Sequence, residues 1–564
     1  MKIKSLLIGM LACTALVGCT NSDEPEVDNK VLSDEYCMAV KFAMSGETTG
    51  RALTNEYQNG GETKVVGAMF YFLDANGASV SEPYYLSGDI NLTSSSHHTT
   101  DESQTNPIIV MKNPTAIPSS IVAILNPPTE LANNKSKRDL NYLQNIEGDY
   151  DEITTNIIMS NSVYQDANGE EVIGAPVSSK NIATSEKELT LGINNGAKSP
   201  VEIHVERVLA KVNVTNNSTI DNSTVSRNET LVSTSNPNGA KAEFKVKIMG
   251  WWLADTYSES YLLKDMATAP TNWLEPNYQW NDITNLRSYW ANPVTGGTWI
   301  NKAWNQYSTD DKYCHENTST SNPTQVVVAA RIYTGTYDAN NLTTYIKWRE
   351  DIYTEESFKI AIANLEDVRQ FYKVTSGVAN GENATYESIG VAELDFAFNT
   401  NEGDVTVGET TIKDYEAVVT LKGTEVGEGE NKKTEYPAVY TLSKDATGKT
   451  KAELVSTENV NKALNGIATV KMWKDGDTYY YVNIEHDANG KTGDEFKANP
   501  AVIRNHLYKL TLNSASGLGT PVPNPDKVIE TEKVTDKDVY SYISAQIYVL
   551  KYRVVSQGVD LKSE

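Results

Sequence analysis

Tyr36-Cys37-Met38-Ala39-Val40-Lys41-Phe42-Ala43-Met44-Ser45 alternates strictly, with Met38, Val40, Phe42 and Met44 on one side and Cys37, Ala39, Lys41 and Ala43 on the other. That period of two is the signature of a strand with one buried face. Turn chemistry ends it at once: Ser45-Gly46-Glu47-Thr48-Thr49-Gly50-Arg51-Ala52 is small, polar and Gly-flanked, and Arg51 is the first arginine of the chain, with none following until Arg138. Exposed loops of this composition are where proteases cut.

Further strand candidates recur downstream. Val65 to Leu73, Ile108 to Met111, Ile121 to Leu125, Val201 to Val214, Ala242 to Leu253, Val326 to Tyr333, Ala417 to Leu421, Tyr436 to Leu442, Ala468 to Trp473 and Leu507 to Leu512 are β-prone runs separated by turn residues, the spacing of sandwich domains. Leu131 to Ile146 and Thr354 to Glu366 are the helical candidates. Asn216 to Gly239 and Gly423 to Lys433 are polar and read as surface loops. Three Asp-Ala-Asn-Gly segments, at 74–77, 166–169 and 487–490, lack the spacing of a calcium loop and read as hairpin turns, with Asn-Gly supplying the two positive φ values of a type I′ turn.

At 564 residues the chain exceeds one compact core, so two all-β domains plus tails are expected, with the domain change at 257/258. The divisions are 1–18, a signal peptide; 19–51, a propeptide; 52–257 and 258–525, two tandem β-sandwich (transthyretin-like or Greek-key) domains; and 526–564, an extension. A net charge of −25 without a basic cluster excludes a nucleic-acid partner. The six His residues show no metal-ligand spacing, so no metal or cofactor is expected. Neither a nucleophile motif nor a phosphate loop is present, Cys314-His315 has no orienting neighbour, and no enzyme is expected.

Both ends carry further signals. Lys2 and Lys4 precede an apolar run, Leu6 to Val17, too short to span a membrane and suited to a signal peptide. It ends in Leu16-Val17-Gly18-Cys19, which resembles a bacterial lipobox with Cys19 as the lipidated residue. Cys13 leaves with the signal peptide, so Cys37 and Cys314 remain, either as a disulfide or as unrelated thiols. Near the C-terminus, Ser514 to Pro525 reads as an extended linker. Beyond it Ile543, Ala545, Ile547 and Val549 share one face of an apolar strand, and three such aliphatics contribute about 5–9 kcal/mol when buried. A strand this apolar needs a partner, in a neighbouring molecule or in its own sheet.

The succession Ile121-Val122-Ala123-Ile124-Leu125-Asn126, Ile158-Met159-Ser160-Asn161, Glu206-Arg207-Val208-Leu209-Ala210-Lys211-Val212, Lys247-Ile248-Met249-Gly250-Trp251-Trp252-Leu253 and Arg504-Asn505-His506-Leu507-Tyr508 resembles the fimbrillins, or type V pilins, of Bacteroidales, and within them the major subunit of the minor (Mfa-type) fimbrium. The resemblance implies a surface-export signal at Ser22-Asp23-Glu24 and removal of the lipidated N-terminal strand by an arginine-specific or trypsin-like protease between Arg51 and Ala52. It also implies polymerisation of a stalk subunit by donor-strand exchange, with neighbouring copies, accessory fimbrial subunits and a host surface ligand as partners. The alternative is a non-polymerising lipid-anchored adhesin or accessory (anchor or tip) subunit.

Overall fold

The computed structural model describes residues 32–44, 64–90, 107–148, 156–165, 171–264, 298–319, 321–399, 405–407, 410–412, 416–427, 432–464, 470–486, 500–529 and 542–551. Cys19, Ser22 to Glu24, Arg51, Ala52, His97-His98 and the Asp-Ala-Asn-Gly segments at 166–169 and 487–490 lie outside them. The chain is mostly β, as expected.

The first unit is one mixed sheet. β1 (Glu35–Met44), β2 (Val65–Leu73), β3 (Tyr84–Ile90), β4 (Ile108–Lys112), β5 (Ser120–Leu125), β6 (Met159–Asn161) and β7 (Val201–Arg207) lie in the order β3-β2-β5-β6-β7-β1-β4. The sheet curls until its edge strands β3 and β4 approach each other. One face encloses a core of Met38, Val40, Phe42, Phe70, Ile109, Met111, Ala123, Val201, Ile203 and Val205. The opposite face of β2 and β5 is also buried, with Met69, Tyr71, Val122 and Ile124 packed on Ile158, Val208 and Leu262. Burial on both faces explains why β2 and β5 are continuously apolar rather than alternating.

Helix α1 (Glu186–Asn194) covers the back of β1. Ser185 caps it by accepting from the Glu188 N–H at 3.3 Å, and the Glu188 carboxylate returns to the N–H and hydroxyl of Thr184, satisfying the open amides of the first turn. Its Leu189 packs on Cys37 and Ala39. β1 is therefore buried on two faces, not the single face that its alternation suggests, because small residues at 37 and 39 let a helix approach.

The second unit stacks two sheets. β8 (Ala210–Asn216), β9 (Thr224–Ser233), β10 (Asn236–Ala254), β11 (Lys312–Cys314), β12 (Gln325–Thr334), β13 (Tyr345–Trp348) and β14 (Asp351–Thr354) supply most of its strands. They are joined by β15 (Lys471–Trp473), β16 (Asp477–Asn483), β17 (His506–Ser516), β18 (Thr520–Pro521) and β19 (Tyr542–Lys551). One sheet has the order β11-β8-β17-β19 and the other β15-β13-β14-β9-β10-β12-β16-β18. Between them lie Val212, Phe244, Val246, Trp251, Val326, Val328, Tyr480, Tyr508, Leu510 and Leu512.

Several expectations change here. The sheets change over between Arg207 and Ala210, whereas the domain change was placed at 257/258: β8 to β10 precede that point yet pair with β11, β12 and β17. The polar run Asn216 to Gly239 contains β9 and the start of β10, an antiparallel pair with irregular register, because ladder hydrogen bonds hold a strand whatever its polarity. Ser514 to Pro525 is no free linker. Thr520 and Pro521 pair with Tyr479 and Thr478, and Val522 is buried. Cys37 and Cys314 are buried in separate cores and no disulfide joins them. At 74–77 the Asp74 carboxylate accepts from the N–H groups of Asn76 and Ala78, and Gly77 takes φ +77° while Asn76 is not left-handed. The turn is thus built on an Asx contact and one glycine instead of type I′ geometry.

An excursion from the second sheet, residues 355–470, starts after β14 and returns at β15. Its helix Glu355–Ala363 is capped by Thr354, and Phe358 and Ile362 pack with Leu394, Val419, Val439 and Val460 beneath Ile346 and Trp348 of β13. This separate core was not apparent in the two-domain reading.

Candidate functional site

β1 opens the described chain yet sits inside the sheet. Its first half runs antiparallel to β4, from Glu35↔Lys112 to Ala39↔Ile108, while Cys37 exchanges backbone bonds with Ala183 at 2.7 and 3.0 Å on the other edge. Its second half runs parallel to β7, from Val40↔Val201 to Met44↔Val205. Met38 and Val40 have no exposed surface, Phe42 is 4% exposed, and the Phe42 ring lies 6.0 Å from that of Phe70. Burying these three side chains contributes about 5–9 kcal/mol. Removing β1 would leave a slot between β4 and β7 lined by Ile109, Met111, Val201, Ile203 and Val205. Burial pushes the Cys37 thiol up, with Glu186, Glu35 and Glu188 adding to the effect, so it stays protonated and unreactive.

The C-terminal strand β19 runs antiparallel to β17 of its own chain. Ile547 stands opposite Leu510, Val549 opposite Tyr508, Ala545 opposite Leu512 and Ile543 opposite Ala515, with a register shift between Leu512 and Ser514. The four expected donor positions are thus in register with the side of β17 that is buried in the second core. β19 ends the sheet order, with β17 as its strand neighbour.

Between these two features lies a buried polar junction that sequence reasoning missed. Arg504 donates from Nε to Glu316 Oε2 at 2.9 Å and from Nη2 to Oε1 at 2.5 Å, and further to the carbonyls of Leu262 at 3.0 Å and Tyr261 at 2.8 Å. Lys264 Nζ lies 3.1 Å from Glu206 Oε2. All four charged side chains are fully buried. Burial pushes the Glu206 carboxyl up, opposed by Lys264 and Arg504, and pushes the Lys264 amine down, opposed by Glu206. Each of these two buried cations faces a buried carboxylate, as a dry site requires. Arg207 donates from its N–H and from Nη1 to Asn505 Oδ1 at 3.3 and 3.4 Å, and the Asn505 N–H donates to the Leu209 carbonyl at 2.9 Å. Charged residues interrupting otherwise apolar strands, at Glu206-Arg207 and Arg504-Asn505-His506, were the available signal.

Among the described residues no group of His, Cys, Asp and Glu is arranged to hold a metal ion. The features together define an all-β protein with an N-terminal strand set into its first sheet and a C-terminal strand at the edge of another.

Residues 471–558, which include β16, β17 and β19, match the family described as "Major fimbrial subunit protein type IV, Fimbrillin, C-terminal". The match covers that segment alone, and by it the C-terminal part of the chain is similar to that of a major fimbrial subunit. No curated protein matches the chain. Similar solved structures include a fimbrilin (fimA) from Porphyromonas gingivalis W83, 12% identical over 93% of this chain and 98% of that one, with a TM-score of 0.34. A cell-adhesion structure from Bacteroides eggerthii is 10% identical over 94% and 100% of the two chains, TM-score 0.34. The tip fimbrial protein Mfa3 from Porphyromonas gingivalis is 10% identical over 91% and 99%, TM-score 0.27.

Proposed function

We propose that this chain is the stalk subunit of a cell-surface fimbrium, exported as a precursor lipidated at Cys19, cleaved between Arg51 and Ala52, and polymerised by strand exchange. Cleavage by an arginine-specific or trypsin-like protease releases β1. The slot between β4 and β7 then exposes apolar side chains and unpaired backbone, both costly in water. The C-terminal strand of a neighbouring copy restores both by adding to the sheet. Donor and acceptor are different surfaces of one chain, so the contact is head-to-tail and generates a filament. Accessory subunits would terminate or anchor it, and a host surface ligand would meet its exposed loops.

The observation that carries this reading is the interior placement of β1, a chain-terminal segment that fills the first core between two strands distant in sequence. N-terminal sequencing of surface-extracted, assembled protein tests it: the expected first residue is Ala52, and assembled material beginning at Cys19 would overturn it.

A second reading is favoured by the pairing of β19 with its own β17. If that pairing is permanent, the chain is a non-polymerising lipid-anchored adhesin or an accessory anchor or tip subunit, and deletion of β19 destabilises the second unit instead of abolishing assembly.

A further inference from the structure

β7 is supported unevenly. Val205 to Arg207 pair with β6, but among the described residues Val201 to Ile203 are paired in the sheet with β1 alone. Three residues past the end of β7, at Ala210, the chain enters β8, which runs parallel to β17 from Lys211↔Leu507 to Asn216↔Leu512. The far edge of β17 carries β19 along the same residues. At the turn itself, Arg207 holds the Asn505 side chain and Leu209 holds the Asn505 backbone. Asn505 immediately precedes β17 and stands at φ +59°, a left-handed conformation that needs tertiary support in any residue with a Cβ.

We infer that this run of contacts couples the two ends of the molecule: occupancy of the β1 position, acting through β7, Arg207 and Asn505, sets how tightly β19 is held on β17. Loss of β1 leaves Val201 to Ile203 without a ladder partner, β7 shifts, Asn505 loses its seat at the head of β17, and β19 is released. β19 is the two-state element that such coupling requires, since an edge strand with one strand neighbour can dock or detach as a unit. Taken with the proposed strand exchange, on which its biological meaning rests, the coupling closes both ends of the precursor and opens both in one step.

Hydrogen exchange of the Tyr542–Lys551 amides in the intact chain tests this without any filament. Val40→Ala weakens β1 and is expected to speed exchange in β19 by about tenfold or more while β12 amides keep their protection, as a local opening requires. Asn505→Gly removes the carboxamide but retains the left-handed backbone. In that background β19 is expected to exchange fast already, with Val40→Ala adding less than about twofold, the non-additivity expected of one shared path. Unchanged β19 exchange in both variants overturns the coupling, and so does equal acceleration in β12 and β19. The exchange reading fails separately: filaments formed by a chain lacking β19 would remove it and leave the coupling standing.

Discussion

Lys264 Nζ lies 3.1 Å from Glu206 Oε2, and neither side chain reaches solvent. Glu206 lies at the end of β7, the last strand of the first sheet, and Lys264 lies beyond β10 of the second unit, so the pair bridges them beside the Arg504 and Glu316 contact. Removing one partner strands the other charge in a dry site. Lys264→Met is therefore expected to cost about 3–5 kcal/mol in urea unfolding, whereas Glu206→Leu with Lys264→Met should recover most of that loss. Equal destabilisation by the single and the double variant would show that the pair is not what the site depends on.

Phe42→Ala should destabilise the unprocessed chain by about 3–5 kcal/mol, because it empties a packed site against Phe70. A chain beginning at Ala52 lacks Phe42, so the same gene should yield processed protein with an unchanged melting temperature. A shift in both forms would mean that β1 stays bound after cleavage.

Deleting residues 530–564 is expected to leave both units folded, since each keeps its own core and the segment before the deletion stays docked through Ile529, whose N–H donates to the Lys302 carbonyl at 3.0 Å. SDS-resistant ladders on unheated gels should disappear. Ile547→Asp should do the same, as a charge in an apolar slot costs several kcal/mol. Ladders that persist in either variant would place the donor strand elsewhere, and an unfolded truncation would assign β19 permanently to its own sheet.

Asp477 accepts from Arg331 Nε at 2.7 Å, yet burial outweighs this pairing and pushes its carboxyl from the ordinary 3.8 up to about 6. A raised carboxyl pKa means that the folded state binds the proton more tightly than the unfolded chain. The stability it confers is therefore full below about pH 4 and lost as pH rises through about 6. Asn at this position does not titrate. The stability of wild type relative to Asp477→Asn should fall by up to about 3 kcal/mol between pH 4 and pH 7, measured by urea unfolding at each pH. Parallel pH profiles would refute the shift.

Period-two alternation located β1, and runs of β-prone apolar residues located β4, β5 and β12, to within a residue or two, while Val65 to Leu73 matches β2 at both ends, because apolar alternation or continuity reports burial directly. The run Val201 to Val214 was legible as β but not as two strands. Its interruption at Val208 and Leu209 involves apolar residues, and only their packing on Ile158 and Leu262 shows the break.

The residues by themselves determined that the chain is built of strands, that an alternating strand near the start is followed by a polar loop holding a lone arginine, and that an apolar strand lies near the end. These are local properties, written in side-chain period and turn chemistry. Tertiary structure alone decided that β1 lies between β4 and β7, that β19 is seated on β17, that residues of the 355–470 excursion build a further core against β13 and β15, and that Arg207 meets Asn505 across 298 positions. Strand partners and buried charge pairs depend on which distant segments share a face, and a period of two is the same whichever neighbour a strand finds.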